Sequence, residues 1–214
     1  MKITYLGHAC FQLTSSSGVT IITDPYTRVG YELPSGLSAD IVTVSHGHFD
    51  HSYLSAVKAK HVVSQAMNYE LEGVKISGFE SFHDDKQGAL RGKNVLFTIE
   101  MDGMKICHFG DLGEACRDDI IEKIAYADIL LVPIGGTYTI DALQAKKYVE
   151  GCKPRIVIPM HYRPMDGVLD IADSTPFLEL FEEKDVQKVL DGSFDIDVSN
   201  LAKLPLIIYM ERKQ

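Results

Sequence analysis

The chain has 214 residues, of which 45% are hydrophobic and 24% are charged, and its formal net charge is −9. This composition is typical of a globular protein with an apolar core, and the lack of any linker-like stretch predicts a single domain over residues 1–214. The acidic balance disfavours nucleic acid as a partner, because phosphate backbones require a basic face, and the apolar runs are too short to span a bilayer.

The start of the chain and its cysteines both favour a cytoplasmic protein. Gly7, His8 and Gln12 interrupt the first apolar stretch, so we expect no signal peptide. The four cysteines are scattered and form no CxxC motif, so they are expected to be reduced and buried. Oligomeric state is not indicated by the sequence, and a homo-oligomer is left open.

Short strands are predicted along the first half of the chain. Residues 15–18 predict a hairpin turn, and Asp102-Gly103 predicts a two-residue one. The continuous β-branched run 39–45 predicts a strand buried on both faces, and residues 52–60 predict a short helix. The predicted strands are 2–6, 10–14, 19–23, 39–45, 61–64, 74–79, 94–101 and 104–109.

Helices and strands alternate in the second half. The predicted helices are 117–127, 139–151 and 176–183, and the predicted strands are 129–133, 155–159 and 204–210. Thr139 or Asp141 is the expected cap of the second helix. A strand-rich half followed by an alternating half indicates a layered α/β fold with mixed sheets.

Three histidines and an aspartate stand within six residues, directly after the predicted strand 39–45. Residues two apart in an extended segment point to the same side, so His46 and His48 can chelate one ion, while Asp50 and His51 can turn towards a second. Imidazole and carboxylate are the usual ligands of zinc and similar metals. Because burying these groups without a metal would be costly, the segment predicts a metal site, and two adjacent ions could activate a water and clamp the oxygens of an ester or phosphate.

One cluster cannot fill two metal positions, so later residues must contribute ligands. His83, Asp111 and His161 each stand at the end of a later predicted strand, and strand ends on one edge of a layered α/β sheet can converge. Taken alone, each residue is as typical of a structural role as of a ligand. Combined with the cluster, all three become candidates.

These residues resemble the metallo-β-lactamase superfamily. The resemblance consists of HGHFDH at 46–51, a later lone histidine at 83, Gly110-Asp111, and a final histidine at 161, in that order. More narrowly, the chain resembles the branch that includes the ascorbate-6-phosphate lactonases, through GHAC at 7–10, TDP at 23–25, HFGDLG at 108–113, PIGGTYTID at 133–141 and IPMHY at 158–162.

The resemblance implies an α/β fold, a four-layer αββα sandwich of two mixed β-sheets flanked by helices, with the metal site at one edge. It implies that the first ion is held by His46, His48 and His83, that the second is held by Asp50, His51 and His161, and that Asp111 bridges the two beside a hydroxide.

The resemblance also gives expectations for two residues outside the cluster. Asp24 would orient a ligand, with a turn residue before Pro25 as an equal alternative. His8 would lie near the metals, as in the branch with a GHA motif, or be structural.

Nearby cations are candidates for binding an anionic substrate. Lys86, Arg91 and Arg163 are the candidates, although lysine and arginine side chains are usually solvated at the surface. Arg91 is favoured because a guanidinium binds oxyanions through two hydrogen bonds. Tyr138 and Tyr162 are expected to line the pocket. His61 and His108 are expected to be structural.

The expected function is a dinuclear metal-dependent hydrolase whose metal-bridging hydroxide cleaves a small anionic ester, lactone or phosphoester, with Asp50 and Asp111 as catalytic residues. Flavodiiron relatives carry glutamate at the place of His48, and a three-histidine site favours hydrolysis over redox chemistry. The expected cofactors are two divalent ions, zinc first, with Mn²⁺ and Fe²⁺ left open. The alternatives are a nucleotide phosphodiesterase or nuclease, and a metal-binding protein without catalysis.

Overall fold

The computed structural model describes residues 1–213 and contains two β-sheets whose inner faces share one apolar core. The strands are β1 (Lys2–Gly7), β2 (Cys10–Thr14), β3 (Thr20–Thr23), β4 (Leu37–Thr43), β5 (Val57–Val63), β6 (Asn68–Leu71), β7 (Val74–Phe82), β8 (Lys93–Met101), β9 (Met104–His108), β10 (Ile129–Pro133), β11 (Ile156–Met160), β12 (Val186–Val189), β13 (Ser193–Asp195) and β14 (Ile207–Met210). The helices are α1 (Asp118–Lys123), α2 (Ala142–Cys152) and α3 (Thr175–Leu178).

Both sheets are mixed. The first sheet has the order β13-β1-β2-β3-β4-β5, and the second has the order β12-β14-β11-β10-β9-β8-β7-β6. In the first sheet β3, β4 and β5 are parallel, and in the second sheet β9, β10, β11, β14 and β12 are parallel. The expected sandwich of two mixed sheets is confirmed.

Apolar residues cover both faces of the first sheet. Neighbouring residues of a strand point to opposite faces, so Ile21 joins the core between the sheets while Ile22 joins a second cluster on the outer face. That outer face is covered by residues of the loop after β3, among them Tyr26, Val29 and Tyr31.

The helices pack on one another in a row, and α2 also contacts β10 of the second sheet. Asp141 caps α2 by accepting a hydrogen bond from the backbone N–H of Gln144 at 2.9 Å, as predicted. The strands β10 and β11 are buried along their whole length, as expected for parallel strands covered on both faces. None of the helices within residues 1–213 has the length and apolar character needed to cross a bilayer.

The prediction of a helix at residues 52–60 is wrong. A short 3₁₀ turn, Leu54–Ala56, is followed by β5, which pairs in parallel with β4. The alternation of Val57, Lys58, Ala59 and Lys60 is a period-2 pattern, and pairing with β4 decides in favour of the strand.

The sequence did not reveal β6, β12 and β13. Each has three or four residues and lies at the edge of a sheet, so it has only one neighbouring strand and little burial to imprint a pattern. The predicted hairpin at Asp102-Gly103 is confirmed: both residues have positive φ, as a type I′ turn requires.

Candidate metal centre

The candidate residues lie at one edge of the sandwich because each follows the carboxyl end of a strand. His8 follows β1, Asp24 follows β3, and the segment 45–51 follows β4. His83 follows β7, Asp111 lies just after β9, and His161 follows β11. The fold therefore brings together residues that are as far as 153 positions apart in sequence (8 to 161).

Three histidines, here called the first group, lie close together: His46, His48 and His83. Nε2 of His46 is 3.0 Å from Nδ1 of His48, and all three ligand nitrogens lie within 4.8 Å of one another. His83 is buried, whereas His48 is exposed. The first group is thus open to solvent on the side of His48.

Four further residues, here called the second group, lie beside the first: His8, Asp50, His51 and His161. Their ligand atoms also lie within 4.8 Å of one another. Nε2 of His8 is 3.2 Å from Nε2 of His51 and 3.4 Å from Oδ2 of Asp50. The three histidines of this group are fully buried.

Asp111 lies between the two groups and is almost completely buried. Its Oδ2 is 3.2 Å from Nε2 of His83 and 3.3 Å from Nε2 of His161, while its Oδ1 is 3.1 Å from Nε2 of His51. The carboxylate of Asp111 therefore contacts candidate ligand nitrogens of both groups.

Two hydrogen bonds fix which ring nitrogens face the centre. Nδ1 of His51 donates to Oδ2 of buried Asp24 at 2.8 Å, and Nδ1 of His46 lies 3.0 Å from Oγ of Ser45. Ser45 in turn donates to Asp24, through its backbone N–H at 2.7 Å and its hydroxyl at 2.5 Å. With the protons on Nδ1, the Nε2 lone pairs of both histidines point at Asp111, as ligating histidines require.

The polar atoms at the centre fit a bound cation. Nε2 of His51 and Oδ1 of Asp111 face each other as two acceptors at 3.1 Å, and this carboxylate oxygen receives no hydrogen bond within the described residues. Atoms that bind one ion at about 2.0–2.2 Å lie roughly 3 to 3.5 Å apart, which matches the 3.0 Å between His46 and His48 and the 3.2 Å between His8 and His51. A divalent ion would satisfy atoms that the protein leaves without partners.

Burial sets the charge of the imidazoles in the centre. It lowers the pKa of His8 and of His46 to about 3 and also lowers the pKa of His83, so these rings are neutral. Burial also acts to lower the pKa of His51, but the carboxylates of Asp111 and Asp24 outweigh it and raise that pKa. The two carboxylates therefore favour a positive charge at this place, and a bound metal ion would supply it.

The two carboxylates of the centre are ionised. Burial acts to raise the pKa of Asp111, but the facing His161 and His51 outweigh it and hold the pKa well below its usual value. The pKa of Asp50 is lowered in the same way, because a hydrogen bond from His8 and the charge of His51 outweigh burial. Neutral imidazoles and ionised carboxylates are the forms that bind metals.

Three residues of the site have a left-handed backbone that is uncommon outside glycine. The φ angles are 55° at His8, 37° at Asp24 and 51° at His161. Each such residue costs on the order of 1–3 kcal/mol, and such strain clusters at functional sites. Neighbouring contacts hold it in place: the carbonyl of His8, for example, accepts hydrogen bonds from the backbone N–H of His161 at 2.8 Å and from the hydroxyl of Tyr5 at 3.0 Å.

Buried Asn94 holds Asp111 in position. Its Oδ1 accepts the backbone N–H of Asp111 at 2.9 Å, and its Nδ2 donates to the carbonyl of Phe109 at 2.9 Å. Gly110 makes this approach feasible, because a Cβ there would lie 2.4 Å from both Oδ1 of Asn94 and Cβ of Ser45, and its φ is +51°.

A pocket of about 330 Å³ opens above the centre. Its floor includes donors of both groups, and its rim consists of Phe49, Arg91, Tyr138 and Leu169. The guanidinium of Arg91 lies 5.5 Å from the centre of the Tyr138 ring. A volume of this size suits a small molecule.

The loop that carries Arg91 is organised by the carboxylate of Asp84. This side chain accepts four backbone hydrogen bonds of 2.7 to 2.9 Å, from Lys86, Gly88, Leu90 and Arg91. The loop is thereby tied to the residue that directly follows His83.

The family model described as a β-lactamase superfamily domain matches residues 2–161, which is most of the chain. The chain belongs to the metallo-β-lactamase superfamily. The predicted superfamily resemblance is confirmed, while the narrower resemblance to the lactonase branch stays a prediction.

Relatives in this superfamily are metal-dependent hydrolases, and so is this chain. A UPF0173 metal-dependent hydrolase from Methanosarcina mazei is 30% identical over 89% of this chain and 94% of its own length, and one from Thermoplasma acidophilum is 31% identical over 78% and 85%. Among solved structures, a Thermotoga maritima protein described as a candidate zinc-dependent hydrolase of the superfamily is 36% identical, covers 98% of each chain and has a TM-score of 0.81. A metallo hydrolase from Ignicoccus hospitalis, 22% identical over 100% and 96% with a TM-score of 0.68, shares the fold.

The structure places most of the predicted site residues of this metallo-β-lactamase superfamily member at the centre. All seven predicted ligands lie in the two groups or between them, and Arg91 and Tyr138 line the pocket. Of the two readings left open for Asp24, the geometry fits the one in which it orients a ligand.

Tyr162 is a correction: it does not line this pocket. Its hydroxyl donates to the carbonyl of Met210 at 2.9 Å, and it borders a different cavity together with Tyr5 and Arg212. Successive residues of an extended chain point to opposite sides. Tyr162 therefore points away from the metal centre although it is adjacent in sequence to His161.

Ser45, Asp84 and Asn94 were missed by sequence reasoning. Ser45 directly precedes His46 and Asp84 directly follows His83, so their position beside candidate ligands was the available signal. Asn94 carried no local signal, because its partner Asp111 is 17 positions away.

Proposed function

We propose that the chain binds two divalent ions, zinc first, and hydrolyses a small anionic ester, lactone or phosphoester. The observation that carries the proposal is the pair of donor groups that share Asp111 at the floor of a pocket whose rim holds Arg91. The first group would hold one ion and the second group the other.

Divalent ions in such a centre lower the pKa of a water and neutralise negative charge that develops on the substrate oxygen. Asp50 and Asp111 offset two of the four positive charges of two ions, so the floor would stay positive within a protein of net charge −9. A positive floor attracts an anionic substrate to this spot.

The residues of the chain would orient the donors and the substrate. Asp24 and Ser45 hold the rings of His51 and His46 with Nε2 towards the floor. Arg91 would bind the anionic group of the substrate through its guanidinium, while Phe49, Tyr138 and Leu169 would shield the apolar part from water.

Metal content tests the proposal first. Protein purified without chelators is analysed for metals by elemental mass spectrometry, and we expect two ions per chain. The loaded protein is then assayed against a panel of lactones, carboxylic esters and phosphoesters, each with an anionic member and a neutral analogue of the same shape. We expect turnover of anionic members above that of their analogues.

Two results would contradict the proposal. A protein that takes up one ion or none on reconstitution would exclude the dinuclear centre. Turnover of cyclic nucleotides, with no turnover of lactones, carboxylic esters or phosphoesters without a nucleotide such as bis-p-nitrophenyl phosphate, would identify a nucleotide phosphodiesterase instead. The variant His61→Asn serves as the control, because His61 is exposed and pairs with Glu72 away from the centre.

A further inference from the structure

The ring of His8 lies as close to the other members of the second group as two ligands of one ion lie to each other. Its Nε2 is 3.2 Å from Nε2 of His51 and 3.4 Å from Oδ2 of Asp50, and its ring centre is 4.1 Å from that of His161. These separations match the 3.0 Å between His46 and His48 in the first group. Donors on one ion lie roughly this far apart.

A metal ion satisfies the facing nitrogens of His8 and His51 better than a hydrogen bond between them does. Since the Nδ1–H of His51 donates a hydrogen bond to the carboxylate of Asp24, Nε2 of His51 presents a lone pair towards His8. A proton can bridge the two rings, but it leaves Oδ1 of Asp111 without a partner, whereas one metal ion can satisfy all three atoms.

The backbone of His8 is held in an uncommon conformation by its neighbours. Its φ of 55° places the residue in the left-handed region. Its N–H donates to the hydroxyl of Tyr31 at 3.1 Å, and its carbonyl accepts hydrogen bonds from Tyr5 and His161. Strain that is fixed from both sides in this way indicates a functional orientation rather than space filling.

We propose that His8 is a direct ligand of the second ion, that this position is thereby closed, and that the substrate meets the first ion. The proposal rests on the dinuclear function proposed above. With His8, the second position has the four donors of its group plus Asp111, while the first has three histidines plus Asp111. A catalytic position must keep a place open for water or substrate, and a structural one need not.

The shape of the pocket agrees with this division. His48 and His83 of the first group line the pocket, whereas of the second group only Asp50 does so. His8, His51 and His161 lie behind the floor with exposures of 0 to 1%. A position held by these histidines would therefore be shielded from the pocket except beside Asp50.

Zinc affinity of matched variants tests the proposal. His8→Asn is the main variant, because asparagine tolerates the left-handed backbone, and His61→Asn makes the same change at an exposed site. The two zinc dissociation constants are measured by competition with a chromophoric chelator. In His8→Asn we expect the tighter constant to weaken by more than about a hundredfold, beyond what an outer partner costs, with the weaker constant changed by less than about threefold.

His8→Gln separates ligation from hydrogen bonding. Glutamine keeps an N–H that can donate to Asp50, so it would restore the tight constant if His8 only positioned that carboxylate. We expect no restoration. A tight constant that is unchanged in His8→Asn, or is restored in His8→Gln, overturns the assignment of His8.

Metal uptake by the wild-type protein shows which of the two proposals fails, the dinuclear function or the assignment of His8. Uptake of fewer than two ions by the wild type contradicts the dinuclear function, whereas two ions with equal constants in wild type and His8→Asn contradict only the assignment of His8. If the variants fail to fold, the visible spectrum of wild type with one equivalent of cobalt decides. Weak bands of a centre with more than four ligands support the proposal, and intense tetrahedral bands overturn it.

Discussion

The side chains of the two groups and of Asp111 are mostly buried and hydrogen-bonded to further buried groups, whereas the side chains of the pocket rim are partly exposed. His51 is 0% exposed and Asp111 1%, but Phe49 is 51% exposed and Tyr138 39%. Burial and hydrogen bonds therefore restrain the candidate ligands more than they restrain the side chains of the rim. On the proposed function, the candidate ligands would determine the chemistry and the rim would determine the choice of substrate. The following changes test that division, from the largest expected effect to the smallest.

Asp111→Asn should have the largest effect, because it removes the charge that both groups face. We expect turnover to fall roughly a thousandfold or more, since the substrate oxygen loses its preorganised environment. Elemental analysis should show fewer bound ions. Full metal content with full turnover would contradict a shared carboxylate.

Asp24→Asn should have the next largest effect, which is a loss of zinc affinity. The amide cannot accept hydrogen bonds from His51 and from both donors of Ser45 as a carboxylate does. We expect zinc affinity to fall roughly 10- to 100-fold, as for other partners behind a ligand. A chelator titration measures it, and an affinity equal to that of the wild type would mean that the floor does not depend on its supporting residues.

Arg91→Ala should change substrate binding without changing the metals. We expect KM to rise about tenfold for an anionic substrate, because a charged hydrogen bond is lost, and to stay the same for a neutral analogue. Lys86→Ala is the matched control, since its exposed ammonium pairs with Asp85 at 3.0 Å. Equal changes of KM in the two variants would show that Arg91 does not bind the anionic group of the substrate.

Asp84→Ala should act only through the loop that Asp84 organises. With four backbone hydrogen bonds lost, Arg91 is held less firmly, and we expect a rise in KM that does not exceed that of Arg91→Ala. The double variant should equal Arg91→Ala in KM, because both changes affect one contact. Additive effects would show that Asp84 has a role of its own at the floor.

Tyr162→Phe should have the smallest effect and should leave catalysis unchanged. It removes the hydrogen bond to Met210, so the free energy of unfolding should fall by about 1 kcal/mol. Urea unfolding measures this loss, and steady-state kinetics checks that KM is the same. A change in KM would show that Tyr162 does affect substrate binding.

The sequence predicted the floor better than the rim for a physical reason. The cluster at 46–51 is local, and His83, Asp111 and His161 follow strands whose apolar runs are plain in the sequence. Asn94 depends on contacts between β8 and its neighbours, which no local pattern reports, and the expectation that His8 lies near the metals came only from the resemblance of the motif GHAC at 7–10. Tyr162 was misplaced because the direction of a side chain after a strand is set by the backbone turn at His161.

The same contrast applies to the fold. The long buried strands β10 and β11 were predicted within one residue, because burial on both faces leaves a continuous apolar run. The edge strands β6, β12 and β13 and the loop that covers the first sheet were not predicted, since their conformation depends on a single partner each.

The position of Asp111 makes the two proposed metal positions interdependent. Its Oδ2 lies within 3.3 Å of a donor from each group, so an ion at one position changes the charge that the other ion meets. By thermodynamic linkage, the factor by which either ion alters the affinity for its neighbour is the same in both directions. Metal uptake should therefore be cooperative in one sense or the other, and the sign of that cooperativity would show whether shared charge or shared geometry dominates.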